Sequence, residues 1–159
     1  MSAAKKKEQA TGNVAVNKKA YFNFELVEKY EAGIELRGSE VKSLRSSNAD
    51  LSGSYARIQG DECWLIGANI APYAKATHQQ HEPLRKRKLL MHKQELRKIR
   101  TKLEQRGFTF VPLRVYFNSR GIAKVEVALA KGKRQFDKRA TISDRQQKRD
   151  VDREMKKYR

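Results

Sequence analysis

Val111, Leu113, Val115 and Phe117 alternate with polar or solvent-tolerant neighbours. Beyond Asn118-Ser119-Arg120-Gly121 the alternation resumes at Ala123, Val125, Val127 and Leu129. A period of two on both sides of turn residues specifies a hairpin with one buried face. A second strand pair is predicted from Tyr55–Gln59 and Cys63–Ile70 around Gly60-Asp61, with Trp64 and Ile66 on one face. Phe22, Phe24 and Leu26 read as a further strand, whose continuation from Val27 to Tyr30 is either strand or helix. Several short antiparallel strands predict a mainly β fold, a closed or nearly closed small barrel, because closure removes exposed edges. Two helices interrupt them. Gly38 to Arg45 is short, with Val41 and Leu44 three apart; the other spans about His92 to Arg106, where Leu96, Ile99 and Leu103 form an apolar stripe and Gly107 supplies the stop.

The chain has 159 residues, one domain plus tails, and a net charge of +18. That imbalance calls for a polyanion. It is unevenly spread: residues 1–19 carry a net +4, 20–74 a net −3, 75–106 a net +8, 107–130 a net +2 and 131–159 a net +7. The polyanion-facing surface is therefore built from both ends and one internal block around a neutral-to-acidic core. The outer face of the 92–106 helix carries Lys93, Arg97, Lys98, Arg100, Lys102 and Arg106, either a solvated face or a contact. Upstream, Arg85-Lys86-Arg87-Lys88 repel one another unless a counter-surface offsets them. No apolar run is long enough for a membrane span, Met1 to Lys7 has no secretory apolar region, and the one cysteine, Cys63, fits a reducing cytoplasm.

Residues 1–16 are expected to be a disordered basic arm, 17–131 the folded domain and 132–159 a basic tail. In the tail Val151, Met155 and Tyr158 share a helical stripe, and Asp144 can pair with Lys148 and Asp152 with Lys156. The stripe is too narrow to dock firmly, so the segment is expected to become helical on a partner.

Enzymatic chemistry has weak candidates. His78 and His81, with Glu82, lack the further ligands that structural zinc needs, so no metal or other cofactor is predicted. Gly132-Lys133-Arg134 lacks the glycine pattern of a phosphate loop, and Cys63 beside Trp64 reads as a small buried hydrophobe. No catalytic residue is predicted. Aromatic side chains and dispersed basic charge on a small β fold suit RNA better than duplex DNA, which is usually read by a helix in the major groove.

Six blocks sharpen this reading: Asn17-Lys18-Lys19-Ala20, Tyr30-Glu31-Ala32-Gly33-Ile34, Gly38-Ser39-Glu40-Val41-Lys42-Ser43-Leu44-Arg45, Gly67-Ala68-Asn69-Ile70-Ala71-Pro72-Tyr73, Arg87-Lys88-Leu89-Leu90, and Ala130-Lys131-Gly132-Lys133-Arg134 with Asp137-Lys138-Arg139. Together they closely resemble the SsrA-binding protein family, or small protein B, of bacterial trans-translation, over about residues 14–140. The resemblance implies an oligonucleotide-binding-type barrel with about three helices. It implies an adaptor that binds the tRNA-like domain of transfer-messenger RNA and, with elongation factor Tu, brings it to stalled ribosomes. A monomer with no catalytic step is implied. RNA-contact positions would be Asn17, Lys18, Lys19, Glu31 and Leu90, with basic support from Arg87 and Lys88. Ribosome-facing positions would be Gly132, Lys133, Arg134, Asp137, Lys138 and Arg139, then Lys148, Arg149, Arg153 and Met155 in the tail.

Three departures stand out. Arg134 replaces a second lysine, giving a planar fork for a point charge; Phe136 stands where relatives often carry His or Tyr; Gln147 stands where some carry an aromatic residue. Glu31 is unexpected on an RNA surface. It is either a buried or salt-bridged structural acid or an acceptor for base amino groups. Gly33 predicts a turn or close backbone approach, and Tyr21, Tyr55, Trp64 and Tyr73 are either core or stacking residues. A basic structural ribosomal protein would share the charge and the tails; a hydrolytic RNA enzyme would have to show metal-dependent cleavage.

Overall fold

The computed structural model describes residues 12–157, apart from the side chains of residues 135, 136 and 157. In chain order the elements are β1 (Asn13–Val16), α1 (Lys18–Asn23), β2 (Phe24–Ile34), α2 (Gly38–Arg45), β3 (Ala49–Asp50), β4 (Tyr55–Gln59), β5 (Glu62–Ile66), β6 (Asn69–Ile70), β7 (Arg87–Leu90), α3 (Lys93–Leu103), β8 (Phe108–Phe117), β9 (Ala123–Gly132) and α4 (Gln135–Lys157). The hairpin is β8–β9, turning at residues 118–122 with Gly121 at φ 76°. The second predicted pair is β4–β5, turning at Gly60-Asp61, but its second arm, expected to run to Ile70, ends at Ile66 before Gly67 at φ 79°, and Asn69–Ile70 pair with β3 instead. Residues 24–34 form one strand, which settles the Val27–Tyr30 ambiguity in favour of β.

The fold is mainly antiparallel sheet with four helices. Seven strands run in the order β1-β8-β9-β2-β7-β5-β4, and β3 pairs with β6 separately. The expected closed barrel is not formed: β1 and β4 are the sheet's edges, and no ladder joins them among the described residues. The reason lies in β4, five residues long and paired only with β5; it packs against β8 without sharing hydrogen bonds. The sheet nonetheless curls around one core, to which β4 gives Ala56, β5 Cys63 and Leu65, β7 Leu89, β8 Phe110 and Val115, and β9 Val125, Val127 and Leu129. α3 lays Leu96 and Ile99 on the same core, with Leu103 half-buried beside it.

A β-bulge gives the hairpin a second buried face. The β8–β9 register shifts between Pro112 and Arg114, so Leu113 is the extra residue. One additional residue inverts every later side chain, which puts Phe110 and Val115, five apart, in one core and Val111 and Leu113 in another. The second core joins them to Ala128 and Ala130 of β9 and to Ala20 of α1. A proline, which has no N–H, is accommodated at such a bulge. The carbonyls there are taken up by Asn17. Its backbone N–H donates to Leu113 O at 2.7 Å and its Nδ2 to Pro112 O at 3.1 Å, while its Oδ1 accepts from Ala20 N–H at 3.1 Å and caps α1.

Two boundaries are corrected. Residues 13–16, assigned to the basic arm, pair as β1 with β8; the rest of the arm, 1–11, lies outside the described residues. Residues 18–23 form α1, a helix too short for hydrophobic periodicity to reveal.

Candidate nucleic-acid interface

β2 and β7 meet where Gly33 stands opposite Leu90 and Ile34 opposite Leu89. A Cβ at Gly33 would lie 3.2 Å from Leu90 Cβ, so glycine allows this close approach and Leu90 projects outward, 54% exposed. Around the junction is an open groove. Glu31, Lys124, Lys88, Glu62, His92 and Ile122 are among the residues that line it. Three predicted contacts, Glu31, Lys88 and Leu90, are thus brought together from positions far apart in the chain.

Glu31 is exposed, and its carboxylate is oriented. Tyr116 Oη donates to Oε2, while Lys124 Nζ stands 3.9 Å from Oε1. Burial, and then the bond to Glu31, push the Tyr116 hydroxyl up to about 12, so it remains a donor. Arg114 lies over the Tyr116 ring at 4.8 Å and also reaches Glu126 and Asn13, which fixes the ring from behind. Sequence reasoning did not single out Tyr116 and Lys124; they are paired positions of β8 and β9, the two strands that lie in succession beside β2.

The basic block 85–88 is largely neutralised inside the protein. Arg87 is corrected outright: it is fully buried and cannot face RNA. Its Nε donates to Glu40 Oε1 at 2.9 Å, Nη1 to Ala68 O and Arg85 O, and Nη2 to Pro83 O at 3.1 Å. Arg85 grips the same carboxylate, Nε to Oε1 at 3.1 Å and Nη2 to Oε2 at 2.8 Å. Glu40 also accepts the Arg37 N–H at 2.7 Å, as the third residue of α2 reaching back to its cap. Burial pushes the Glu40 carboxyl up, but the Arg85 and Arg37 hydrogen bonds and the charges of Arg87 and Arg85 hold it at about 2. Lys88, half-buried, pairs with Glu62 at 2.5 Å, leaving Lys86 exposed.

Asn17 is corrected in the same way. It is 3% exposed and engaged wholly with α1 and the bulge, whereas Lys18 and Lys19 are exposed. Gly132 ends β9; Lys133 then donates its N–H to Asn23 O at 2.9 Å and Nζ to Tyr21 O at 3.4 Å, joining the tail to α1. Arg134, Asp137 and Arg139 are exposed and Lys138 half-buried. On α4, Lys148, Arg149 and Met155 are exposed, and Arg153 stands 3.9 Å from Asp150. Phe136 and the stripe residue Tyr158 lie outside the described side chains.

The remaining candidates belong to the fold. His81 is buried, its Nε2 2.9 Å from Ile70 O and its Nδ1 2.9 Å from Ser39 Oγ. The carbonyl can only accept, so Nε2 carries the proton and Nδ1 takes the serine hydroxyl. Cys63 is buried, and burial pushes its thiol up to about 12 against a smaller opposite effect of a Trp64 backbone hydrogen bond. Among the described residues no cluster of His, Cys, Asp or Glu could hold a metal ion. Tyr55 is exposed, Trp64 half-buried, and Lys42 stands 5.6 Å from the Tyr73 ring.

A curled antiparallel sheet with an open groove of mixed charge and a strongly basic helical extension defines a small RNA-binding protein. The model of a family described as SmpB protein matches residues 14–157. The chain belongs to the SmpB family. It is 48% identical to the SsrA-binding protein of Trichodesmium erythraeum over 156 residues, which are 98% of this chain and 99% of that one. It is 51% identical to the SsrA-binding protein of an Anaeromyxobacter species over 146 residues, 92% of this chain and 88% of that one. A solved chain described under "tmRNA-SmpB: a journey to the center of the bacterial ribosome" superposes with TM-score 0.65 at 48% identity, covering 80% of this chain and 92% of that one.

Proposed function

We propose that this protein is an RNA-binding adaptor of trans-translation: it binds the tRNA-like domain of transfer-messenger RNA and delivers it to stalled ribosomes. The observation that carries this is the groove in which an exposed Glu31, held by Tyr116, stands with Lys88, Lys124 and Leu90. A carboxylate there repels phosphate generally but accepts from base amino groups, so it discriminates among RNAs as lysines cannot. Lys18 and Lys19 add charge, and Leu90 presents an apolar face to a base or ribose. The curled, open sheet, with β4 packed against β8, serves as the RNA-binding body from residue 13 to 131. The tail from Gly132 onward addresses the ribosome, its basic residues meeting small-subunit RNA along the vacant message channel. In this reading the protein is a cytoplasmic monomer without a catalytic step, and elongation factor Tu joins through the RNA.

The test is capture of tagged protein from bacterial cytoplasm followed by sequencing of the bound RNA. One dominant transfer-messenger RNA is expected. A spread of ribosomal RNA, with protein in equal number to ribosomes, would mark a structural ribosomal protein instead.

A further inference from the structure

We propose that the depression between α1 and α4 is a second binding site, for the backbone of single-stranded RNA, and that a strand seated there fastens the tail to the sheet. Lys18, Tyr21, Arg145, Lys148 and Arg149 line it. Among the described residues none of these four cations is in an ion pair, whereas Arg85, Arg87, Lys88, Lys102 and Arg114 each face a carboxylate. Four like charges, none within ion-pair distance of a carboxylate, converge on one depression and concentrate anions, with Asp144 and Asp152 beside Lys148 lining a neighbouring depression. Two features position the tail beside α1 without neutralising these charges. The Arg145 guanidinium lies 5.8 Å from the Phe22 ring, and Lys133 ties the start of the tail to Asn23 O and Tyr21 O. Tyr21, half-buried, adds a ring to the lining.

Cations around an aromatic face grip a single strand, the backbone along the charges and a base on the ring. An acidic peptide would leave the ring unused, which favours nucleic acid. Lys18 belongs to the body and Arg145, Lys148 and Arg149 to the tail, so each half of the site is incomplete without the other. Occupancy therefore couples RNA binding to the placement of α4. The site lies outside the Glu31 groove and stands or falls separately from it.

The experiment uses the full chain and a fluorescent oligouridylate about ten nucleotides long carrying photoreactive uridines. Anisotropy across a salt series should give a log–log slope that drops by about 1.4 in the double variant Lys148→Gln, Arg149→Gln, since each lost phosphate contact removes about 0.7. Arg145→Lys keeps the charge but not the planar stacking, and should weaken binding several-fold; Phe22→Leu should do the same without touching a cation. One oligonucleotide should crosslink to both α1 and α4 peptides. An unchanged slope in the double variant overturns the proposal. So do crosslinks confined to α4, or competition by polyglutamate as strong as by RNA. Leu90→Ala separates the readings: if it fails to weaken the tRNA-like RNA while the α4 variants weaken oligouridylate, the groove assignment fails and this one stands.

Discussion

Arg87 Nε donates to Glu40 Oε1 at 2.9 Å, and both side chains are fully buried. The pair joins α2 to β7. Because the rest of the Arg87 fork goes to backbone carbonyls and Glu40 also takes Arg85 and the Arg37 N–H, no polar atom of the cluster is left over. Such a pair is costly to break from one side only, since the remaining charge stays in the interior.

Glu40→Gln should destabilise the fold by about 3–5 kcal/mol, read from the urea midpoint at neutral pH. The acid limb should change as well. The folded carboxyl at about 2 lies below the ordinary 4.5, so its stabilisation is complete above about 4.5 and is lost as pH falls towards 2. That limb amounts to about 3 kcal/mol in the parent and should vanish in the variant. Equal acid sensitivity in both proteins would show that Glu40 is not the titrating group.

Asn17→Ala leaves the Pro112 carbonyl and the α1 cap without partners, and should cost about 1–3 kcal/mol of stability. Its RNA affinity, measured well below the unfolding temperature, should stay close to that of the parent. A large affinity loss with an unchanged unfolding midpoint would restore Asn17 to the RNA surface.

Tyr116→Phe removes the donor that orients Glu31 and keeps the ring. Binding of the tRNA-like RNA should weaken about tenfold by filter assay, with nonspecific RNA unchanged. Glu31→Ala should weaken it at least as much, and the double variant no further, because the two side chains act as one device. Additive losses would mean that Tyr116 contacts RNA on its own account.

Truncation after Ala140 removes most of α4 but no strand, so folding should survive and the tRNA-like RNA should still bind, at most several-fold weaker. Peptide tagging on stalled ribosomes should collapse. Normal tagging by the shortened chain would make the tail a passive extension.

The β8–β9 and β4–β5 hairpins were legible because alternation and turn chemistry are local, and α2 was legible to its end residues for the same reason. The Leu113 bulge was not, since one inserted residue changes no composition and only the partner strand reveals it. The site was half legible. Glu31, Lys88 and Leu90 share a groove, but Arg87 and Asn17 point inward. A run of like charges tells how much charge is present and not which side it faces. In 85–88 a single acid, Glu40, far away in sequence, absorbs two of the four. Tyr116 carries no charge to draw attention, although its hydroxyl donates to Glu31.

β2 pairs with β9 along nearly its whole length, with Phe24 opposite Gly132 and Gly33 opposite Lys124. As the chain emerges during its own synthesis, β2 is made early and its partner nearly last. One edge of β2 therefore waits unpaired through most of translation while β7, β5 and β4 assemble on the other, and β8 is joined to them only when β9 arrives. A message cut short before β9 yields a product without the strand on which β2 and β8 both pair, so the two parts of the sheet cannot be joined.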